Sequence, residues 1–223
     1  MAEMRQQTHG SCAYCGRVLK RGGMGRHLHL CEHRQDAIET ADAGPGRQAP
    51  LLHLAVRDLT GDYWLHLEAE GATPLLELDR YLRAIWLECC GHTSRFTRDE
   101  RTLVPSSRLG RVLRGDGELV HTYDFGSPTV TRIRLVRLRE GIRTTPHPIA
   151  LLARNRLPPR LCACCGRVAT HVCAECERAG TPGTLCPRHA CRHPHTAFGG
   201  ALPRINSPRA GMCEYDGPAE PPY

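Results

Sequence analysis

The stretch CACCGRVATHVCAECERAGTPGTLCPRHACRHPH, residues 162–195, holds seven cysteines and four histidines in 34 residues. Thiols and imidazoles packed this densely serve one of three chemistries: disulfide bonding, thiol reactivity or metal coordination. The opening MAEMRQQTHG is polar and lacks an apolar h-region, so no secretory signal is expected. No run approaches the ~18 apolar residues that a membrane helix needs, and no membrane association is expected. The expected compartment is the cytoplasm, where thiols stay reduced. The 13 cysteines of the chain are also an odd number, which disfavours a disulfide framework. Metal binding is the leading account.

The C-terminal ligands fall into pairs: Cys162-x2-Cys165, Cys173-x2-Cys176, Cys186-x2-His189 and His193-x-His195. Eight ligands make two tetrahedral sites, and zinc is the ion that takes four Cys or His ligands in closed structural sites. Two connectivities are open. In the sequential one, the first two pairs share a zinc and the last two share another. In the interleaved one, pairs one and three hold one ion, and pairs two and four hold the second. Interleaving is favoured, because a cross-brace closes a small module with little core of its own. Each structural zinc contributes on the order of 10–16 kcal/mol of binding energy, which offsets that missing core. Cys164 and Cys191 break the pair pattern and read as spares, with Cys191 a substitute for His193 or His195.

A second cluster lies near the N-terminus, in CAYCGRVLKRGGMGRHLHLC. Cys12-x2-Cys15-x11-His27-x3-Cys31 is close to a zinc-finger spacing. A tight knuckle supplies Cys12 and Cys15. His27 and Cys31 stand i, i+4 and share one helical face. His29 and His33 are the rival pair at the same spacing, but Cys31 is the softer ligand, which favours His27 and Cys31. Leu19 and Met24 sit where a small apolar core is needed. Three Zn2+ sites are expected in all. The Gly-rich RGGMG weakens the helix start, and a single finger rarely suffices to read a DNA sequence.

Closed Cys-rich sites are structural, whereas a catalytic zinc keeps an open position. The chain has no H-E-x-x-H and no H-x-E followed by P-C-x-x-C. No catalytic residue, organic cofactor or small-molecule substrate is expected. Cys90 and His92 in CCGH flank a glycine that ends a helix. Burial of Cys89 and capping by its neighbours is therefore preferred over a thiolate–imidazole pair or a metal role. Asp124 in YDFGS is expected to bond backbone amides at a turn rather than to act as a base.

The elements that must hold these ligands are partly visible. LLHLAVRDL and YWLHLEAEG, around TGD, read as a hairpin. ATPLLELDRYLRAIWLECCGH reads as a helix capped by Thr73, with Pro74 in its first turn and Gly91 at its end. Its apolar face carries Leu75, Leu78, Leu82, Ile85 and Cys89. RLGRVL reads as a short helical turn, and ELVHTYDFGSPTVTRIRLVRL as two strands. The fold class is α+β: an antiparallel sheet with a packed helix, flanked by an N-terminal zinc finger and a C-terminal cross-brace-like two-zinc module. The expected division is a finger at 1–35, a linker at 36–50, the α+β domain at 51–150 and the Cys/His-rich module at 151–223. The final DGPAEPPY reads as a frayed tail.

The net charge is +7, and 29 of the 30 basic residues are Arg. Residues 101–160 carry twelve Arg against four acidic residues. Arg132, Arg134, Arg137 and Arg139 are placed as a positive strip on a sheet edge. Such a strip is either a solvated face that discourages edge pairing or a phosphate-contacting surface for DNA or RNA.

LLELDRYLRAIWLECCGHTSRF and YDFGSPTVTRIRLV resemble the plasmid pRi ORF-three-like family, which includes insertion-element passenger proteins of a TnpR-like type. The C-terminal cysteine pairs and LPRINSPRAGMCEYDG are similar to a zinc-bearing branch of it. WLECCGH, YDFGS and NSPRAGMCEY are the most specific parts of the resemblance, which spans residues 50–217. It implies a compact α+β domain and an association with mobile elements, but no reaction. Late in the second cluster, where members carry cysteines, this chain has His189 and His195. A serine recombinase needs a nucleophilic Ser beside an Arg cluster. No spacing singles out Ser106, Ser107 or Ser127, and the Ser106–Ser107 pair reads as a helix cap. The expected function is that of a zinc-binding, non-enzymatic protein that recognises nucleic acid or a protein partner in a mobile-element setting. The alternatives are a DNA-processing enzyme, recombinase-like or nuclease-like, and a structural protein–protein adaptor.

Overall fold

The computed structural model describes residues 8–223. Most of the polar opening, residues 1–7, lies outside the described residues, and with it the expectation about a secretory signal. The chain divides into two compact units. One holds residues 8–82, Thr93–Arg156 and Tyr223; the other holds Arg83–His92 and Leu157–Pro222.

The first unit is built on a nine-stranded antiparallel sheet. Its strands are β1 (His9–Cys12), β2 (Val18–Lys20), β3 (Ala49–Asp58), β4 (Trp64–Glu70), β5 (Ser94–Arg98), β6 (Arg101–Leu103), β7 (Glu118–Tyr123), β8 (Thr129–Gly141) and β9 (Ile149–Asn155). Their order is β2-β1-β9-β4-β3-β8-β7-β5-β6. The expected hairpin is β3–β4, pairing from Leu51↔Glu70 to Arg57↔Trp64. Asp58 shapes its turn: Oδ1 accepts from the N–H groups of Gly61 (2.7 Å) and Tyr63 (3.2 Å). The expected β7–β8 pair is present too. Helices α1 (Arg21–Leu30), α2 (Glu32–Asp42), α3 (Leu75–Leu82) and α4 (Leu109–Val112) complete the unit. Leu75, Leu78, Tyr81 and Leu82 of α3 are fully buried. Its Asp79 accepts from Ser94 Oγ at 2.5 Å and lies 2.8 Å from His121 Nε2 on β7.

The structure corrects several expectations. The helix read through to Gly91 stops at Leu82 and gives way to a π turn, Arg83–Leu87. A π turn widens the backbone spiral and shifts the residues after it off the preceding face, so Cys89 is not on the buried helical face. Residues 36–42, read as linker, continue α2. That helix lacks apolar periodicity because the residue it buries is charged: Arg34, paired with Glu68. The N-terminal finger shares the large sheet, since β1 pairs with β9 from Gly10↔Asn155 to Cys12↔Ala153. The tail is anchored rather than frayed: Tyr223 stacks on His147 with centroids 3.9 Å apart.

The arginine strip is also placed differently. β8 lies between β3 and β7, so it is an interior strand and not an edge. Strict alternation would put Arg137 and Arg139 on the face opposite Arg132 and Arg134. A bulge opposite His53/Leu54 resets the register, pairing Arg132, Arg134, Arg137 and Arg139 with Arg57, Ala55, His53 and Leu51. Directly paired residues share a face, so all four arginines lie on one side of the sheet. Arg139 is drawn inward by Glu68 (2.8 Å), and Arg132 pairs with Glu118 (3.1 Å).

That same face buries two histidines. His53 Nε2 and His66 Nδ1 lie 2.8 Å apart, and both residues are buried. Burial, then the charges of His66, Arg34 and Arg137, push the His53 imidazole down to about 3. Burial pushes His66 down to about 4. Both are neutral in the folded protein, whereas in the unfolded chain they take up protons below about pH 6.5. The pair's contribution is therefore complete above that pH and falls as the solution is acidified toward pH 4. The slope is about 1.4 kcal/mol per pH unit for each histidine. Urea midpoints measured from pH 7.5 to 5 should fall less steeply for His53→Gln/His66→Gln than for wild type. Parallel curves would refute the assignment.

The second unit carries a three-stranded sheet of β10 (His171–Cys173), β11 (Thr184–Leu185) and β12 (Ala201–Pro203), with helices α5 (Ala174–Arg178) and α6 (Pro187–Ala190). A core cluster in this unit consists of Cys162, Cys173, Cys176, Leu185 and Cys186. Four of those five residues are candidate ligands, so their side chains do double duty as packing.

Candidate metal centres

The knuckles CAYCGR and CACCGR fold alike. In the first, Cys12 N–H donates to Arg17 O (3.0 Å) and Gly16 N–H to Cys12 O (3.0 Å). In the second, Cys162 N–H donates to Arg167 O (2.6 Å) and Gly166 N–H to Cys162 O (2.9 Å). Gly16 and Gly166 have φ of +71° and +69°. A side chain at either position would be strained there, which is why each knuckle closes on glycine.

Among the described residues, four groups bring four Cys or His ligand atoms within 4.8 Å of one another. The first is Cys12, Cys15, His27 and Cys31. Cys12 ends β1, His27 lies on α1, and Cys31 occupies the corner between α1 and α2. Cys12 Sγ and Cys31 Sγ are 4.0 Å apart, and Cys15 Sγ lies 3.3 Å from His27 Nε2. Met24, Leu28 and Trp64 pack around it. The rivals His29 and His33 are outside the group.

In the second unit the pairs combine in the interleaved order. Cys162, Cys165, Cys186 and His189 form one group, with Cys165 Sγ 3.8 Å from Cys186 Sγ and His189 Nδ1 3.4 Å from both Cys162 and Cys186. Cys173, Cys176, His193 and His195 form the next. Cys176 Sγ lies 3.3 Å from His193 Nε2 and 3.2 Å from His195 Nδ1. Glu175 Oε1 stands 3.8 Å from the other ring nitrogen of His195. Cys164 and Cys191 are exposed, and the Cys191 thiol faces Arg188 O.

The last group is Cys89, Cys90, His92 and Cys213; sequence reasoning ranks a metal role for Cys90 and His92 below burial and capping, and does not include Cys213. CCGH has no knuckle spacing, and the flanking glycine suggested divergent side chains. Instead Cys90 Sγ lies 3.0 Å from His92 Nε2, with Cys89 Sγ 3.7 Å from Cys90 Sγ. Cys213, within the NSPRAGMCEY segment, arrives from 121 residues away, its Sγ 3.4 Å from His92 Nε2.

These separations can be compared with a coordination shell. Zinc–sulfur bonds of ~2.3 Å and zinc–nitrogen bonds of ~2.0–2.1 Å give tetrahedral edges of about 3.8 Å between sulfurs and about 3.5 Å between sulfur and nitrogen. The observed edges follow that pattern and are far longer than a disulfide bond. The protonation states fit the same donors. Although burial opposes it, the backbone N–H groups of Cys186, Cys164 and Cys165 bring the Cys162 thiol down to about 5, toward the thiolate a metal requires. Burial, then the charge of Arg17, lowers the His27 imidazole and keeps it neutral. Burial raises the Cys12 thiol to about 11, with the Cys15 and Cys31 sulfurs adding to it. Sulfurs this crowded ionise together only around a cation.

Asp124 Oδ1 accepts from the N–H groups of Gly126 (2.9 Å) and Ser127 (3.2 Å), the expected turn role. No described helix is long and apolar enough to cross a membrane.

No family model matches the chain, and no curated protein does. The resemblance to the ORF-three-like family therefore gains no support from these comparisons. Among solved structures, a protein of unknown function from Methanosarcina mazei Go1 is similar at a TM-score of 0.39 and 16% identity. The similarity covers 44% of this chain and 66% of that one.

Proposed function

We propose that this chain is a zinc-binding, non-enzymatic protein whose metal centres are structural and whose surface recognises a nucleic-acid or protein partner. The observation that carries the reading is that each group supplies four protein donors. A tetrahedral ion held by four side chains has no open position for substrate or activated water. Such sites fix chain segments to one another. Metal analysis of the purified protein is the test of the zinc claim: at least three tightly held zincs per chain are expected, and fewer than two would defeat it.

Nucleic acid is the first reading for the partner, because Arg132, Arg134 and Arg137 are exposed on one face of the sheet. The protein-adaptor reading is favoured by a specific feature of the same strand. Val136 and Leu138 are exposed there, and Glu118 offsets part of the positive charge. Mobility-shift titrations across a salt series separate the two. If phosphates are contacted, affinity falls steeply with salt, and Arg132→Ala/Arg134→Ala lowers the log–log slope by about 2. Absence of binding at low salt would leave the adaptor reading. The mobile-element setting is a proposal resting on the sequence resemblance alone.

A further inference from the structure

Arg209 is completely buried, yet two of its guanidinium nitrogens are directed at sulfur. Nε donates to Cys89 Sγ at 3.1 Å, and Nη2 lies 3.5 Å from Cys213 Sγ. Its backbone N–H donates to Ser207 Oγ at 2.8 Å, and that hydroxyl in turn donates to the carbonyl of Trp86. The guanidinium is thus held in place between the Arg83–His92 segment and the residues that carry Cys213.

A buried guanidinium is stabilised by negative charge beside it. A neutral thiol is a weak acceptor and supplies none, whereas a thiolate supplies both acceptor and charge. Three thiolates crowded around one imidazole repel one another unless a cation lies among them. A divalent ion answers that repulsion and leaves one negative charge over, which Arg209 neutralises.

From this we infer that Cys89, Cys90, His92 and Cys213 form a fourth zinc site, with Arg209 as its fixed counter-charge, which clamps the C-terminal segment around Cys213 to the segment that follows the π turn. The inference rests on the zinc-binding reading above and extends it to ligands that no knuckle spacing announces. The site differs in kind from the other three. Two of its ligands are adjacent in sequence. Cys213 and Glu214 hold left-handed backbone, with φ of 49° and 60°, a conformation that costs energy in non-glycine residues and persists where surrounding contacts fix it. Arg209 positions the sulfurs and does not ligate.

The test is zinc counting by native mass spectrometry on the full chain, wild type against Cys90→Ala and Cys213→Ala. Cys90 is exposed, so its truncation removes a ligand without opening the core. Each variant should carry one zinc fewer than wild type. Identical counts in all three proteins would overturn the fourth site. The remaining total reports separately on the other three groups, so failure of the wider zinc reading is distinguishable: wild type would then carry at most the one ion that the variants lose. Arg209→Met should release that ion to a competing chelator 10–100-fold more readily, the usual effect of losing a group that supports metal ligands. An unchanged release profile in a folded Arg209→Met protein would remove the counter-charge role.

Discussion

Cys173→Ala is expected to unfold the module around β10, β11 and β12 while leaving the nine-stranded sheet protected. The core cluster there comprises four cysteines and one leucine. Small modules of this kind bury too little apolar surface to offset their chain entropy. Structural zinc contributes on the order of 10–16 kcal/mol per site, against a whole-domain stability of about 5–15 kcal/mol. Losing one of the two interleaved ions therefore removes as much free energy as a typical domain has. Interleaving makes the loss cooperative. Cys173 ends β10, which pairs with both β11 and β12, and stands just before α5, while its partners His193 and His195 follow α6, which carries His189 of the other site. Hydrogen exchange on the full-length chain is the measurement. In Cys173→Ala, or after chelation of wild type, amides of β10–β12 should exchange at the rate of an unfolded chain, and those of β3, β4 and β8 should not. Cys164→Ala and Cys191→Ala, at exposed thiols outside the groups, are the controls and should change stability by no more than about 0.5 kcal/mol. Protection of β10 that survives chelation would show that the module stands without metal.

What the sequence disclosed about this site was what is local in chemistry. A C-x2-C turn followed by glycine places two sulfurs on one side of a knuckle, and an i, i+4 pair places two more on one helical turn. Those distances follow from backbone geometry whatever the rest of the chain does. The interleaved order was reachable by asking which closure would constrain a small module most. Cys213 was not reachable in that way, since its position depends on a contact 121 residues distant. Nor was the loss of Cys89 from the helical face, because a π turn leaves no mark on apolar spacing. The hairpin β3–β4 and the strands β7 and β8 were legible from apolar runs and turn residues. The short strands β1, β2 and β6, each of three or four residues, are too brief for a period to register. The bulge in β8 illustrates the same limit: alternation predicts two faces for four arginines, and one extra residue puts them on one.

Glu68→Ala is expected to destabilise the first unit by about 3–5 kcal/mol, the cost of leaving buried charge without its partner. Glu68 is 4% exposed and holds two arginines at once. Arg34 of α2 donates to Oε2 at 2.6 Å, and Arg139 of β8 reaches both carboxylate oxygens at 2.8 and 3.1 Å. Arg34 also donates to Leu28 O at 3.0 Å, closing the C-terminal end of α1 beside Cys31. The carboxylate therefore links the sheet to the corner that presents the last ligand of the N-terminal group. Removing it leaves Arg34 without that carboxylate and leaves Arg139 with Asp42 at 3.9 Å, against a face already occupied by His53 and His66. Arg34→Met should cost less, because Glu68 keeps Arg139 and the methionine fills much of the vacated space. Replacing all three together, Arg34→Met/Glu68→Leu/Arg139→Met, should recover most of the loss, since a buried ionic cluster exchanged for apolar residues of similar volume is often neutral or better. Urea denaturation with zinc present measures all three variants, and zinc affinity of the N-terminal group should weaken in Glu68→Ala and in Arg34→Met, since each breaks the link through Arg34 to the corner at Cys31. If Glu68→Ala costs less than about 1 kcal/mol, the value of an exposed pair, the network is not what fastens α2 to the sheet.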